Sequence, residues 1–202
     1  AVANAQVMRR AMSYAAHFGA LVVQHAEEPA LSRGVMNESE LASRLGLPGI
    51  PAAAETIIIE RDLRLLELTG GRYHVSQISC EASVDIIRRA RRRGLKVTCG
   101  VSAAHLALNE NDVQSYRTFF KLSPPLRSEL DRRALVAGVA DGTIDVIVSG
   151  HDPQDAEAKR RPFAQAAFGA IGLETLLPAS LALVHNGDVP LARLLGPVTH
   201  AP

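Results

Sequence analysis

The chain has 202 residues, 47% of them hydrophobic and 21% charged, which is enough apolar matter to bury one sizeable core in a single domain. Lysine plus arginine (22) nearly cancels aspartate plus glutamate (21), for a formal net charge of +1, so the balance asks for neither nucleic acid nor an acidic membrane surface. Two cysteines, Cys80 and Cys99, are too few for a disulfide framework. No apolar run reaches the roughly 18–20 residues that span a bilayer, and no signal peptide precedes the first helical pattern, so a cytoplasmic location is expected. The chain opens without Met and inside a helical pattern, as expected of a fragment or a processed product.

Residues 2–17 read as a helix, with Val2, Val7, Met8 and Met12 at helical spacing. The short apolar run from Gly19 to His25 is a buried strand by length and β-branching. Beyond Glu27, Glu28 and Pro29, the stretch Asn37-Glu-Ser-Glu40 is a helix N-terminus. The next helix begins near Pro51, runs through Ile57, Ile58, Leu65 and Leu66, and stops at Gly70-Gly71. Residues 72–79 form a second strand, and a helix from about Glu81 to Arg93 ends at Gly94. The third strand covers 95–101. A longer connection holds Phe119, Phe120 and Ser123-Pro-Pro-Leu-Arg127, and a helix over about 128–140 stops at Asp141-Gly142. Residues 144–149 make the fourth strand, a long loop passes Pro162, and a helix over 173–184 precedes an apolar segment at 191–195.

Strand and helix alternate, and the strands are continuous apolar runs, so the fold class is α/β with a parallel sheet covered by helices. Four strands make a small open sheet or half of a (β/α)8 TIM-type barrel, and the barrel is the favoured reading. The polar residues Gln24, His25, Gln77, Ser79, Ser149 and His151 fall at the C-terminal strand ends, where both architectures place function.

Several stretches taken together resemble the dihydroorotase branch of the amidohydrolase superfamily. They are His25-Ala-Glu-Glu28, Gly49-Ile-Pro-Ala-Ala-Ala-Glu55, Gly71-Arg-Tyr-His-Val-Ser-Gln-Ile-Ser79, Pro124-Pro-Leu-Arg127, Asp131, Asp141-Gly-Thr-Ile-Asp145 and Gly172-Leu-Glu-Thr-Leu-Leu-Pro178. The resemblance implies that residues 1–202 are the C-terminal half of a (β/α)8 barrel, strands five to eight. It also implies a family chemistry in which zinc assists closing and opening of the dihydroorotate ring. The family's HxH and its strand-four ligand would lie upstream of residue 1.

The pattern of the resemblance asks for a metal-binding His at the end of strand five, and His25 meets it. It asks for an H-x-x-H pair on strand six, and here His74 is followed by Gln77. It asks for an Asp, both ligand and proton shuttle, within D-H-A-P-H after strand eight. The chain has Gly150-His-Asp-Pro-Gln154, so Gly150 stands at the Asp position and Gln154 at a substrate-binding His. Ser123 replaces a substrate-contacting Asn, and Arg127 is a family position for an anion or carboxylate, or else a pin for its loop.

An amide oxygen is a poor zinc ligand beside imidazole, and glycine supplies no base. Loss of a positioned acid–base group alone costs about 10²–10⁴ in rate. Asp152, two residues beyond Gly150 and about 6–7 Å along a strand, is the only fallback base. No catalytic residue and no cofactor are therefore expected; zinc enters only if a rearranged site works.

Other residues have structural readings. His74 is expected to pack as a satisfied histidine behind the sheet, His105 to be structural, and Cys80 and Cys99 to be buried free thiols. The Arg88–Arg93 run resembles a nucleic-acid patch, yet it spreads around a helix and lacks interleaved aromatics, which favours a solvated face. Gly49, Gly70 and Gly71 are expected at helix ends or turns.

The functional expectation is a non-catalytic dihydroorotase-like protein of pyrimidine biosynthesis that scaffolds aspartate carbamoyltransferase. The alternative is an active zinc-dependent dihydroorotase or cyclic amidohydrolase. Open strand edges call for completion by the missing half barrel, a partner chain or a homo-oligomer.

Overall fold

The computed structural model describes residues 2–202. In chain order the helices and strands are α1 (Ala5–His17), β1 (Leu21–Gln24), β2 (Met36–Asn37), α2 (Glu40–Leu45), β3 (Gly49–Ile50), α3 (Ala53–Thr69), β4 (Arg72–Val75), α4 (Glu81–Arg92), β5 (Val97–Ser102), α5 (Ala103–Ala107), α6 (Glu129–Asp141), β6 (Val146–Val148), α7 (Ala156–Lys159), α8 (Leu176–His185) and α9 (Leu191–Thr199).

The ends of these elements follow local chemistry. Asn4 caps α1 by accepting from the N–H groups of Gln6 and Val7 at 2.9 and 3.0 Å. Ser39 caps α2, and Ser128 with Asp131 makes a reciprocal capping box on α6. Gly70 closes α3 in the left-handed region at φ 68°, as its place after the apolar row predicts.

Four strands form one parallel sheet in the order β1-β4-β5-β6. Its two faces differ. Tyr73, Val75, Cys99 and Val101 are fully buried against α1, α3, α4 and α6, where Met8, Met12, Ile58, Ile59, Leu66, Val84, Ile87 and Leu135 complete the core. The Tyr73 hydroxyl donates to Asp62 of α3 at 2.7 Å, and Arg61 holds that carboxylate at 2.7 Å. Fully burying one such Val, Ile or Leu contributes about 1.5–3 kcal/mol. On the opposite face Val23, His74 and Thr98 are in register, and Val23 is 57% exposed. This is the face a closed barrel turns to its lumen.

His74 therefore lies on the open face and not behind the sheet. Strand alternation puts it opposite Tyr73 and Val75, and its Nδ1 pairs with Thr98 Oγ1 at 2.8 Å. Burial lowers its pKa. Val7, expected in the apolar row of α1, is 53% exposed, because Met8 and Met12 carry the contact.

A second, smaller cluster of Val35, Met36, Leu41, Ala42, Val113 and Phe163 packs beneath the connections. It surrounds the short parallel pair β2–β3, which the sequence pattern does not announce. Gly49 belongs to that pair and not to a helix end or turn: a Cβ on it would stand 2.4 Å from the Glu38 Cα, so the two backbones meet only because it has none.

The arginine-rich helix α4 is a web of surface ion pairs. Arg88 reaches Asp141 and Asp85 at 2.5 and 3.1 Å, Arg91 pairs with Asp145, Arg93 with Glu67, and Arg89 with Glu60 at 3.7 Å. A carboxylate-matched face of this kind has little field left for phosphates. No helix among the described residues is long and apolar enough to cross a membrane.

Candidate functional site at the strand tips

The C-terminal ends of β4, β5 and β6, with the connections that follow them, enclose a cavity of about 880 Å³. Gln77, Ser123, Gly150 and Asp152 line it; Gln154 and Arg127 do not.

His25 follows β1 and sits at the edge of this mouth. Its Nε2 lies 3.1 Å from Glu27 Oε2 and 3.4 Å from Ser123 Oγ. The hydrogen bond from His25 is the main reason the Glu27 carboxyl is held below its ordinary range. Both partners meet the same ring nitrogen. A nucleophile–base–acid relay needs them on opposite nitrogens, so this trio is not a hydrolytic triad.

Gln77 comes two residues after β4 ends, where the backbone leaves the strand and Ser79 turns inward. The expected strand over 72–79 is thus cut at Val75, although Ile78 N–H still donates to Gly100 C=O at 2.9 Å. Gln77 brings an amide to the mouth.

Gly150 follows β6 with φ +59°, in the left-handed region, and a Cβ there would stand 3.0 Å from the Ser102 Cβ. Both facts favour glycine over a residue with a side chain. The strand ends at Val148, so alternation does not govern the next residues. His151 turns its Nδ1 to accept from the N–H groups of Gly172 and Leu173 at 3.0 and 3.3 Å. That role fixes a neutral ring with its proton on Nε2. Asp152 is exposed, and its Oδ1 accepts from Gln154 Nε2 at 3.0 Å. Its backbone N–H donates to Ala170 C=O at 2.9 Å, which holds it on the rim.

Arg127, just 3% exposed, is engaged below the mouth. Its Nε donates to Ser79 Oγ at 3.0 Å, and Nη1 donates to Asn37 Oδ1 at 2.9 Å and to Ile50 C=O at 2.5 Å. Ser79 in turn donates from N and Oγ to Glu55, at 2.9 and 2.5 Å, and Ser83 donates to the same carboxylate at 2.5 Å. Of the two roles open to Arg127, these contacts are those of the loop pin. Glu55 and Ser79 complete a buried ionic network that sequence reasoning missed. Glu55 sits in a helix row of alanines and isoleucines, and that buried carboxylate was the available signal.

His105 is the second pin. It is 3% exposed, with Nδ1 2.7 Å from Ser102 Oγ and Nε2 3.0 Å from Pro124 C=O. Burial pushes its pKa down to about 4. Lys121 and Lys159 are a further pair without sequence warning. Lys121 donates to the carbonyls of Phe163 and Ala164 at 2.9 and 3.0 Å and lies 4.6 Å from the Phe168 ring centroid. Lys159 donates to Ala167 and Gly169 at 2.9 and 2.7 Å. Cys80 and Cys99 are free, buried thiols, both pushed up to about 12 by burial.

The described residues do not by themselves form a zinc site. Among the described residues no three His, Cys, Asp or Glu side chains gather as a metal-ligand group. His25 is taken by Glu27, Gln77 offers an amide oxygen, and Gly150 offers nothing.

Residues 1–83 match the family model described as dihydro-orotase-like. Over its full length the chain is 46% identical to the dihydroorotase of Anaplasma phagocytophilum, covering 45% of that protein, and 46% identical to that of Desulforapulum autotrophicum, covering 47%. It thus spans about half the length of the curated relatives it matches. Among solved structures, the L-hydantoinase (dihydropyrimidinase) of Arthrobacter aurescens superposes with a TM-score of 0.88 at 26% identity, over 98% of this chain and 46% of that one. A D-hydantoinase superposes at 0.80 with 20% identity, which speaks for the fold alone. The chain is dihydroorotase-like in sequence and carries the parallel α/β architecture of the amidohydrolase barrels, of which it makes up about half.

Proposed function

We propose that this chain is part of a dihydroorotase-like protein of pyrimidine biosynthesis that has lost hydrolytic chemistry and serves as a scaffold for aspartate carbamoyltransferase. The observation that carries the reading is Gly150. At the position where the resemblance calls for a ligand and proton shuttle there is no side chain, the backbone is left-handed, and a Cβ would meet the Ser102 Cβ at a tight 3.0 Å. Gln77, just past β4, supports it, and Asp152 is held on the rim, its carboxylate accepting from Gln154 and its backbone N–H donating to Ala170. The transferase as partner rests on the family resemblance, and the exposed lumen face and open edges of β1 and β6 are consistent with completion by further chain or by a second copy.

Co-purification tests it. The protein containing this chain is expected to co-elute with the transferase, to hold sub-stoichiometric zinc, and to leave carbamoyl-aspartate cyclisation at its uncatalysed rate with zinc added. Turnover that Asp152→Asn abolishes would establish instead the rearranged-site enzyme.

A further inference from the structure

The turn that joins α8 to α9 carries the dipeptide Asn186-Gly187. It closes α8 in a Schellman arrangement. Asn186 caps the helix and Gly187 takes the left-handed region at φ 80°. The Gly187 N–H donates to Val184 C=O at 3.0 Å, and the Asp188 N–H donates to Leu183 C=O at 2.9 Å. Val189, whose N–H reaches the same Leu183 carbonyl at 3.2 Å, is buried in the main core, so the turn fixes where α9 begins.

The left-handed position favours a residue without a Cβ, and glycine fills it. The same choice opens Asn186 to an intramolecular reaction. No side chain on residue 187 shields its backbone nitrogen, and no atom lies within 4 Å of the place a Gly187 Cβ would fill. Both residues are exposed to water. The other four asparagines differ on two counts. Each is followed by a residue with a side chain, and each is held: Asn4 by the N–H groups of Gln6 and Val7, Asn37 by Glu110, and Asn109 and Asn111 by one another.

We propose that Asn186 is a modification site of this protein, converted without an enzyme to aspartate and isoaspartate. The Gly187 nitrogen, on losing its proton to hydroxide, attacks Cγ of Asn186. The new N–Cγ bond closes a succinimide ring as the Cγ–Nδ2 bond breaks, and Nδ2 takes up a proton and leaves as ammonia. Water then opens the ring at either carbonyl, giving aspartate or the isomer whose backbone runs through Cγ. Because the Gly187 N–H is tied to Val184 in the closed turn, opening of that turn gates the attack. The step is a one-way switch. Either product places a carboxylate at the C-terminal end of α8, where the helix dipole disfavours it, two residues before Asp188. The isoaspartate also lengthens the backbone by one methylene, which takes the turn's two hydrogen bonds out of register. The site is independent of the scaffolding role.

The test is incubation of the full chain in ¹⁸O water, folded or unfolded in urea, at pH 7 and pH 8, with peptide mass spectrometry to locate each ring opening. Label is expected at residue 186 ahead of the other asparagines. It should appear about tenfold faster at pH 8 than at pH 7, as the ionised fraction of a weak acid rises below its pKa. The folded chain should convert about tenfold more slowly than the unfolded one, the scale of the two hydrogen bonds that hold the turn shut. Asn186→Gln should remove the label there, since its longer side chain closes the ring far less readily. Hydrogen exchange over residues 183–189 should quicken at least about tenfold in the converted protein relative to that variant. A folded chain that stays unlabelled at residue 186 overturns the proposal, as does earlier labelling at another asparagine. Unchanged exchange after conversion overturns the switch.

Discussion

Gly150 and Ser102 face each other across the β5–β6 step, and a Cβ added to Gly150 would lie 3.0 Å from the Ser102 Cβ while the backbone holds φ +59°. The pair makes the residue-150 position past β6 tight and left-handed, so a side chain there carries a conformational and steric cost. Gly150→Ala is expected to destabilise the fold by about 1–2 kcal/mol, the cost of an L-residue in the left-handed region, measured by urea denaturation. The double variant Gln77→His with Gly150→Asp should gain neither cyclisation activity nor tight zinc, as metal analysis after dialysis will read.

Arg127 and Glu55 are joined through Ser79, with no water required in the chain of contacts. Removing Arg127 leaves Ser79 Oγ, Asn37 Oδ1 and the Ile50 carbonyl without this donor, which costs about 1–3 kcal/mol. Arg127→Met should show that loss in chemical denaturation. Glu55→Gln combined with Arg127→Met should lose less than the sum of the single variants, because both act through the shared partner Ser79.

His105 makes stability depend on pH with a definite sign. Its folded-state pKa is about 4, below the ordinary value of 6.5, because burial disfavours the imidazolium. The unfolded chain therefore takes up the proton first. The contribution is fully present above about pH 6.5 and falls as pH drops from 6.5 toward 4, by about 3 kcal/mol in all. His105→Asn should lower stability at pH 7.5 and flatten the profile between those limits, as denaturation midpoints across the range will show.

Lys121 and Lys159 fasten the 163–169 segment to the mouth, and burial lowers the pKa of each. Lys159→Met leaves the carbonyls of Ala167 and Gly169 without these donors, at a cost of about 1–3 kcal/mol. Hydrogen exchange should accelerate over residues 163–170 and remain unchanged in α3 and α4.

The sheet and the helices behind it were legible because their signals are local: β-branched runs of strand length, the apolar row of α3 with its stop at Gly70, and the serine cap of α6. The open face was misjudged at His74, since a half-barrel exposes what a closed sheet would hide, and alternation relative to Tyr73 decides the side. Gln77 and Gly150 were legible as an amide and a glycine near the strand ends, whereas the left-handed backbone of Gly150 and its closeness to Ser102 depend on the fold. Arg127 illustrates the limit most clearly. A Pro-Pro-Leu-Arg motif names the residue, yet its partners Asn37, Ile50 and Ser79 lie 48 to 90 residues away in sequence. The pairing β2–β3 escaped notice because two-residue strands have no periodicity to read.

The most direct measurement is carbamoyl-aspartate cyclisation by the purified protein containing this chain, assayed with saturating zinc beside its Asp152→Asn variant. The account predicts that both proceed at the uncatalysed rate, because the mouth offers an amide at residue 77 and bare backbone at residue 150. Zinc-dependent turnover in the unaltered protein that disappears in the variant would contradict it.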